Sequence, residues 1–119
     1  MAFSDDLRSR TKDLALRVIK LYQSLPEKDE ARMIGKQLFR SATSVAANYR
    51  ASCRGRSTAE FTSKLSIVIE EADETSFWLE LLAESKIVEE AKLKKLMNDY
   101  LEITKILSHA RKTIKKGRI

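Results

Sequence analysis

Apolar residues recur three and four positions apart along nearly the whole chain, which is the spacing of one face of an α-helix. Residues that interrupt helices are rare, since the 119 residues include only three Gly and one Pro. A helix with a single apolar face must bury that face against another element. The sequence therefore predicts an all-α protein whose helices share one core.

Local signals place the first two helices. The first is predicted to begin near Ser4, whose side chain can cap free backbone N–H groups, and to end before Pro26. The second is predicted over residues 29–52. A short turn rich in arginine follows it.

The third helix has the sharpest start signal in the chain. Ser57 and Glu60 have the spacing of a capping box, with an apolar residue directly after them. This helix is predicted to continue to about Ser85, and a fourth to start near Val88 and to end before Gly117.

Each predicted helix carries one apolar stripe, and the links between helices are short. Four such helices pack most simply as an antiparallel up-down-up-down four-helix bundle, and residues 1–119 suffice for a single domain. The predicted core residues are Leu7, Leu14, Val18, Leu21, Leu25, Ile34, Leu38, Val45, Tyr49, Phe61, Leu65, Val68, Ile69, Ala72, Leu79, Leu93, Leu96, Met97, Tyr100, Leu107 and Ile114.

The middle of the second helix is unusual for a core helix. Ala42, Ala46 and Ala47 are small, and Ser41 and Asn48 lie next to the apolar stripe. Small residues allow a neighbouring backbone to approach closely, and buried polar groups need hydrogen-bond partners. We expect this segment to be the most tightly packed seam of the bundle.

Several large apolar residues fall outside the core stripes. On the third helix Ile67, Trp78 and Leu81 lie within about 60° of one line at 100° per residue. Tryptophan is enriched at interface hot spots. The pattern favours a homo-oligomer interface over chance exposure, formed by Ile67, Phe77, Trp78 and Leu81.

Basic residues collect at one end of the predicted bundle. Alternating helix directions bring together the start of the first helix, the end of the second, the start of the third and the end of the fourth. We call the cations of this end the basic pole: Arg8, Arg10, Lys12, Arg50, Arg54, Arg56, Lys64, Arg111, Lys112, Lys115, Lys116 and Arg118. Against these twelve stand Asp5, Asp6, Asp13 and Glu60, so this end has a surplus of eight positive charges, more than the net +6 of the whole chain.

A surface of this kind suits a polyanion such as RNA or DNA, with contacts mainly to phosphate and weak sequence preference. The alternative is that these side chains are solvated and, at the end of the fourth helix, complement its dipole. The residues predicted to bind nucleic acid are Arg50, Arg54, Arg56, Arg111, Lys112, Lys115 and Lys116.

No motif for catalysis, metal binding or a cofactor stands out. His109 lacks a ligand partner at metal-binding spacing, Cys53 lacks a matched general base, and the acidic run at 70–74 lacks the Glu-x-x-His pairs of di-iron bundles. We expect no enzyme, no catalytic residue, no metal and no cofactor. A single cysteine, no signal peptide and no membrane-spanning stretch favour a cytoplasmic protein without membrane contact.

The segment Q-L-F-R-S-A-T-S-V-A-A-N-Y-R-A, with L-Y-Q-S-L-P before it and S-T-A-E-F-T-S-K-L-S-I after it, resembles a bacterial family. This is the four-helix-bundle protein family of the 23S ribosomal RNA intervening sequence, and the resemblance covers about residues 10–114. The family core reads roughly S-I-P-A-N-I-A-E-G. Ser44, Val45, Ala47 and Asn48 match it, Ala46 replaces the proline, and Arg50-Ala51-Ser52 replaces A-E-G. The G-S of the third helix in many members is Glu70-Glu71 here.

The resemblance implies an up-down bundle that assembles into a ring, commonly a homopentamer. It also implies similarity to the accessory protein of diversity-generating retroelements, a pentameric bundle with a basic nucleic-acid-binding surface. No catalytic residue follows from it. The leading hypothesis is therefore a cytoplasmic, non-enzymatic homo-oligomer that binds RNA or DNA and associates with the ribosome. The alternative is a protein-interaction scaffold for a ribosomal or reverse-transcriptase partner, or an oligomer of structural role alone.

Overall fold

Four long α-helices joined by short loops make up the chain, as a computed structural model shows for residues 2–117, with side chains described from Asp5 onward. The helices are α1 (Ala2–Ser24), α2 (Asp29–Ser52), α3 (Thr58–Glu84) and α4 (Glu90–Lys115). Consecutive helices pack side by side in an elongated body of 47 × 21 × 19 Å. Within residues 2–117 there is no strand, and the predicted antiparallel up-down-up-down bundle is confirmed.

The helix boundaries agree closely with the predicted ones. Helix α2 has the bounds that were predicted, whereas α1 begins at Ala2, before the predicted start near Ser4. The capping role predicted for Ser4 rests on a side chain outside the described residues. Helix α4 begins two residues later than predicted, because Val88 still belongs to the turn that closes α3, where its N–H donates to the Leu82 carbonyl at 3.2 Å.

The capping signal of α3 operates as predicted at its serine. Ser57 has an extended backbone conformation, and its Oγ accepts a hydrogen bond of 3.1 Å from the backbone N–H of Glu60. This bond satisfies one of the free donors of the first helical turn. It fixes the start of α3 immediately after the arginine-rich turn.

The core contains most of the predicted stripe residues. Residues that are fully enclosed include Val18, Leu38, Val45, Tyr49, Leu65, Val68, Leu79, Leu93, Tyr100 and Leu107. Leu21, Leu25, Phe61, Met97 and Ile114 are only half-buried, because they lie near helix ends or at the edge of a stripe. Leu82 and Ile103 are fully buried and were not predicted.

The expected seam of α2 forms against α3 in only part of the predicted segment. Ala42 is fully buried, and the Ser41 hydroxyl lies 2.8 Å from that of Thr75, which donates to it across the helix interface. Ala46 is half-buried and Ala47 is exposed, so the prediction that they belong to the tight seam was wrong. These two alanines lie beside α1, where they leave a groove.

A glycine permits the close packing of the end of α1. A Cβ on Gly35 would lie 2.6 Å from Leu25 Cδ1 and 3.0 Å from Tyr22 Cδ1. The Tyr22 ring also stacks on Phe39 with centroids 5.3 Å apart. The last turns of α1 therefore lie directly on α2 at the end of the bundle opposite the basic pole.

We predict that Leu38→Ala lowers the free energy of unfolding by about 2–5 kcal/mol, because it removes a fully buried side chain and leaves a cavity. Urea denaturation followed by circular dichroism measures this loss. The control is Leu101→Ala on α4, where the side chain is 50% exposed, and its effect should be within about 0.5 kcal/mol. Equal losses for the two variants would contradict the assigned core.

Candidate nucleic-acid interface

The alternation of the helices brings four chain segments together at one end. These are the first turns of α1, the last turn of α2 with the loop after it, the start of α3 and the last turns of α4. Arg118, which was counted in the basic pole, lies outside the described residues. The other eleven cations can be placed.

Two of these eleven cations are neutralised by carboxylates. Arg8 pairs with Asp5 at 2.5 Å, within the first turns of α1. Arg10 reaches across to α4, where its guanidinium lies 2.6 Å from Glu102 and 3.7 Å from Asp99. Counting Arg10 as free charge of the pole was therefore wrong, because its side chain points toward the acidic middle of α4.

Six of the seven residues predicted to bind nucleic acid are exposed and available. Among the described residues, none of the six makes an ion pair, and they are Arg50, Arg54, Arg56, Lys112, Lys115 and Lys116. The seventh, Arg111, is half-buried and donates to the Ser66 hydroxyl on α3 at 3.3 Å. Arg111 therefore joins α4 to α3 as well as adding positive charge.

A groove of about 530 Å³ runs between α1 and α2 and opens at the basic pole. Its rim carries cations, and its floor is made of small and aliphatic side chains. The lining residues are Arg8, Ser9, Lys12, Ala15, Leu16, Ile19, Thr43, Ala46, Ala47, Arg50 and Arg54. This groove could not be anticipated from the sequence, because its floor uses alanines that the helical pattern assigned to a packed seam.

Most cations of the pole consequently fall into two groups. One group surrounds the α1/α2 groove, and the other follows the last turns of α4. Basic residues in the last turn of α4 also complement the helix dipole there. In the groove group Arg50 does the same for the last turn of α2, whereas Lys12, near the start of α1, has no such local explanation.

The residues predicted to form an oligomer interface occupy the outer face of α3 but are unequally exposed. Ile67 is 43% exposed and Phe77 is 49% exposed. Trp78 and Leu81 are half-buried and pack against the core. The Trp78 ring also meets Phe77 edge to face, with centroids 5.0 Å apart, so Phe77 and Ile67 are the open part of this patch.

The acidic run at 70–74 is engaged with a cation of α2. Arg40 donates to Glu71 at 2.9 Å and also to Glu74, which accepts a second bond of 3.2 Å from the Trp78 indole N–H. The bond from Arg40, followed by the bond from Trp78, lowers the pKa of the Glu74 carboxyl below its ordinary value. This run therefore ties α3 to α2.

No group of three or more His, Cys, Asp or Glu side chains in the described part of the chain is arranged to hold a metal ion. His109 is exposed and Cys53 is half-buried with a free thiol. Nor does any helix there have an apolar stretch long enough to cross a bilayer.

A four-helix up-down bundle with a cationic end is thus the class of protein defined by the fold and its surface. Residues 6–109 match the model of the 23S rRNA-intervening sequence protein family. The chain therefore belongs to this family, as the resemblance of its central segment predicted.

A solved structure supports the same assignment. The chain is similar to a protein of unknown function from the S23 ribosomal protein family of Bacteroides thetaiotaomicron, with a TM-score of 0.85 and 34% sequence identity. The match covers 92% of this chain and 98% of the other. No curated protein matches the chain significantly.

Asp99 is the centre of a charged contact between α1 and α4 that sequence reasoning missed. It accepts a bond of 2.9 Å from Arg17, and Lys95 and Arg10 lie 3.6 and 3.7 Å away. Burial by itself raises the pKa of the Asp99 carboxyl, but the bond from Arg17 and the three positive charges together lower it below its ordinary value. The ionised form is therefore favoured in the folded protein.

We predict that Asp99→Asn lowers the free energy of unfolding at pH 7 by about 1 kcal/mol, a typical value for a partly exposed ion-pair network. Because the folded-state pKa of Asp99 is depressed, its contribution is present above about pH 4 and is lost as the pH falls through the folded-state pKa. The difference from wild type should shrink at pH 3. Urea denaturation at both pH values measures it, with Asp13→Asn, an exposed site on α1, as the control. An equal loss in both variants would refute the role of Asp99.

Proposed function

We propose that this protein is a non-enzymatic, cytoplasmic homo-oligomer that binds RNA or DNA through its basic pole. The observation that carries the proposal is the group of six exposed cations at one end of the bundle that make no ion pair among the described residues. Solvated cations grouped in this way lower the free energy of a nearby phosphate backbone and release its counterions.

The composition of the surface favours contacts with phosphate over recognition of bases. Tyr49 is buried, and Phe61 is half-buried against the core, so these aromatic rings of the basic end offer little face for stacking. Arginine and lysine side chains without such partners position a nucleic acid but carry little sequence information. We therefore infer weak sequence preference and strong dependence on salt.

The family supports RNA as the partner. Its name refers to the 23S rRNA intervening sequence, and the Bacteroides relative is described as a member of a ribosomal protein family. These descriptions belong to the relatives. For this chain they agree with a phosphate-binding end and make a ribosomal RNA the first ligand to test.

We predict that the protein binds a random-sequence RNA at 50 mM KCl and loses affinity as the salt concentration rises. The double variant Arg54→Glu/Arg56→Glu should bind at least tenfold more weakly, because two phosphate partners become repulsive. Fluorescence anisotropy of labelled RNA measures both effects.

The matched control is Lys92→Glu/Lys94→Glu, which changes the net charge equally but alters exposed residues at the start of α4, at the opposite end. It should retain most of the affinity. Absence of binding at low salt, or an equal loss in both double variants, would contradict a specific role for the basic pole.

The proposed assembly uses the outer face of α3, where Ile67 and Phe77 leave apolar surface in water. Burial of two such side chains contributes about 1.5–3 kcal/mol each. The family resemblance suggests five subunits, arranged as a ring.

We predict that sedimentation equilibrium gives the wild-type protein a mass of five 13.6 kDa chains. Phe77→Asp should reduce this mass to that of a monomer with the helical circular dichroism unchanged, since Phe77 is half exposed. Leu101→Asp on α4 is the matched control and should remain assembled. A monomeric wild type, or an unchanged mass for Phe77→Asp, would defeat this part of the proposal.

A further inference from the structure

We propose that the α1/α2 groove is a site for single-stranded nucleic acid, so that the protein binds a single strand more tightly than a duplex. This inference rests on the proposed function and adds the form of the ligand. It depends on the apolar floor beneath the cationic rim, a feature that the charge pattern alone does not reveal.

The rim presents cations on both sides of the groove. Lys12 lies on α1, and Arg50 and Arg54 lie on α2 and the loop after it. Arg8 also lines the α1 side, but its guanidinium pairs with Asp5. No carboxylate is among the residues that line the groove. Lys12, Arg50 and Arg54 make no ion pair among the described residues, so the rim can hold phosphates from both sides of the groove.

The floor offers apolar contact below those phosphates. Ala15, Ala46 and Ala47 keep it open because their side chains are short, and Leu16 and Ile19 extend it away from the pole. Leu16 is 50% exposed, which leaves aliphatic surface without a protein partner in the described residues. A base or a sugar placed against this surface removes apolar area from water, and contact of this kind does not depend on base identity.

The volume of the groove favours an unpaired nucleotide over a duplex or a helical peptide as its occupant. Its volume of about 530 Å³ lies within the range of about 300–1,000 Å³ that small-molecule sites occupy. The bases of a duplex are paired in its interior, so a duplex meets only the rim. A helical peptide is about 10–12 Å across, so a stretch of peptide as long as the groove needs well over 1,000 Å³. Most of such a peptide would therefore remain outside the groove. An unpaired nucleotide can reach both rim and floor.

The test fills the floor without changing any charge. Ala47→Leu introduces a larger side chain at an exposed helical position, where leucine is a good helix former, so the fold should be preserved. The matched control is Ala91→Leu, another exposed alanine, located in the first turn of α4 at the opposite end of the bundle. Circular dichroism and urea denaturation verify that both variants fold.

The probes are a labelled 20-nucleotide oligouridylate and an RNA duplex of equal length, both measured by anisotropy at 50 mM KCl. Wild type should bind oligouridylate at least fivefold more tightly than the duplex. Ala47→Leu should remove most of that preference by weakening the single strand while duplex affinity changes less than twofold, and Ala91→Leu should change neither. Arg50→Gln should reduce the salt slope for oligouridylate by about 0.7, the value for one lost phosphate contact on a single strand.

Three results would overturn the proposal. The first is equal affinity of wild type for the two RNAs, and the second is an unchanged preference in Ala47→Leu; both leave binding by the basic pole intact. The third is that Ala47→Leu weakens the binding of a polyglutamate peptide but not that of oligouridylate. This result would assign the groove to an acidic protein. Failure of the proposed function is distinct, because wild type would then bind neither RNA.

Discussion

The burial of one face of α2 against α3 is the interaction on which the rest of this structure depends. Leu38, Ala42 and Val45 are fully enclosed there, and the Thr75 hydroxyl donates to Ser41 across the interface. The alanine brings the two helices close, and the hydroxyl pair satisfies polar groups that would otherwise be costly to bury. Once this pair of helices is fixed, the short loops determine where α1 and α4 can pack.

The same packing accounts for the uneven charge of the molecule. Antiparallel neighbours place the end of α2 and the start of α3 at one end, and the arginine-rich turn between them cannot lie elsewhere. Like charges held together repel each other and lower stability slightly. In the middle of the bundle the opposite arrangement occurs, because Arg40 and Arg10 both bind carboxylates of neighbouring helices. Positive charge is thus balanced where helices meet and left free at the basic end.

Helix α1 is attached differently from the other helices. Toward α4 it is held by a charged network around Asp99, and toward α2 it leaves a groove beside Ala46 and Ala47. Leu7, Leu14 and Val18 bury its inner face in the common core, and at its last turns Gly35 allows Tyr22 and Leu25 to approach α2 closely. The open groove therefore lies at the end of α1 that also carries the cations, and the two properties proposed for ligand binding have one structural origin.

The four helices, their order, most of the core and the cationic end could all be predicted from the amino-acid sequence. These features depend on local rules: the spacing of apolar residues, the cap at Ser57, the break at Pro26 and the alternation forced by short links. The family was readable for a similar reason, since its motif lies in one continuous segment of α2.

The neighbours of each side chain, in contrast, became known from the packing of the helices. Arg10 and Arg54 look alike in the sequence, but Arg10 is paired on α4 and Arg54 is free at the rim of a groove. Ala42 and Ala46 likewise occupy similar positions on one helix, and one is enclosed by α3 while the other borders an opening. The physical reason is that helical periodicity fixes the direction of a side chain relative to its own axis. The rotation and separation of adjacent helices, which come from packing the whole core, fix what lies in that direction.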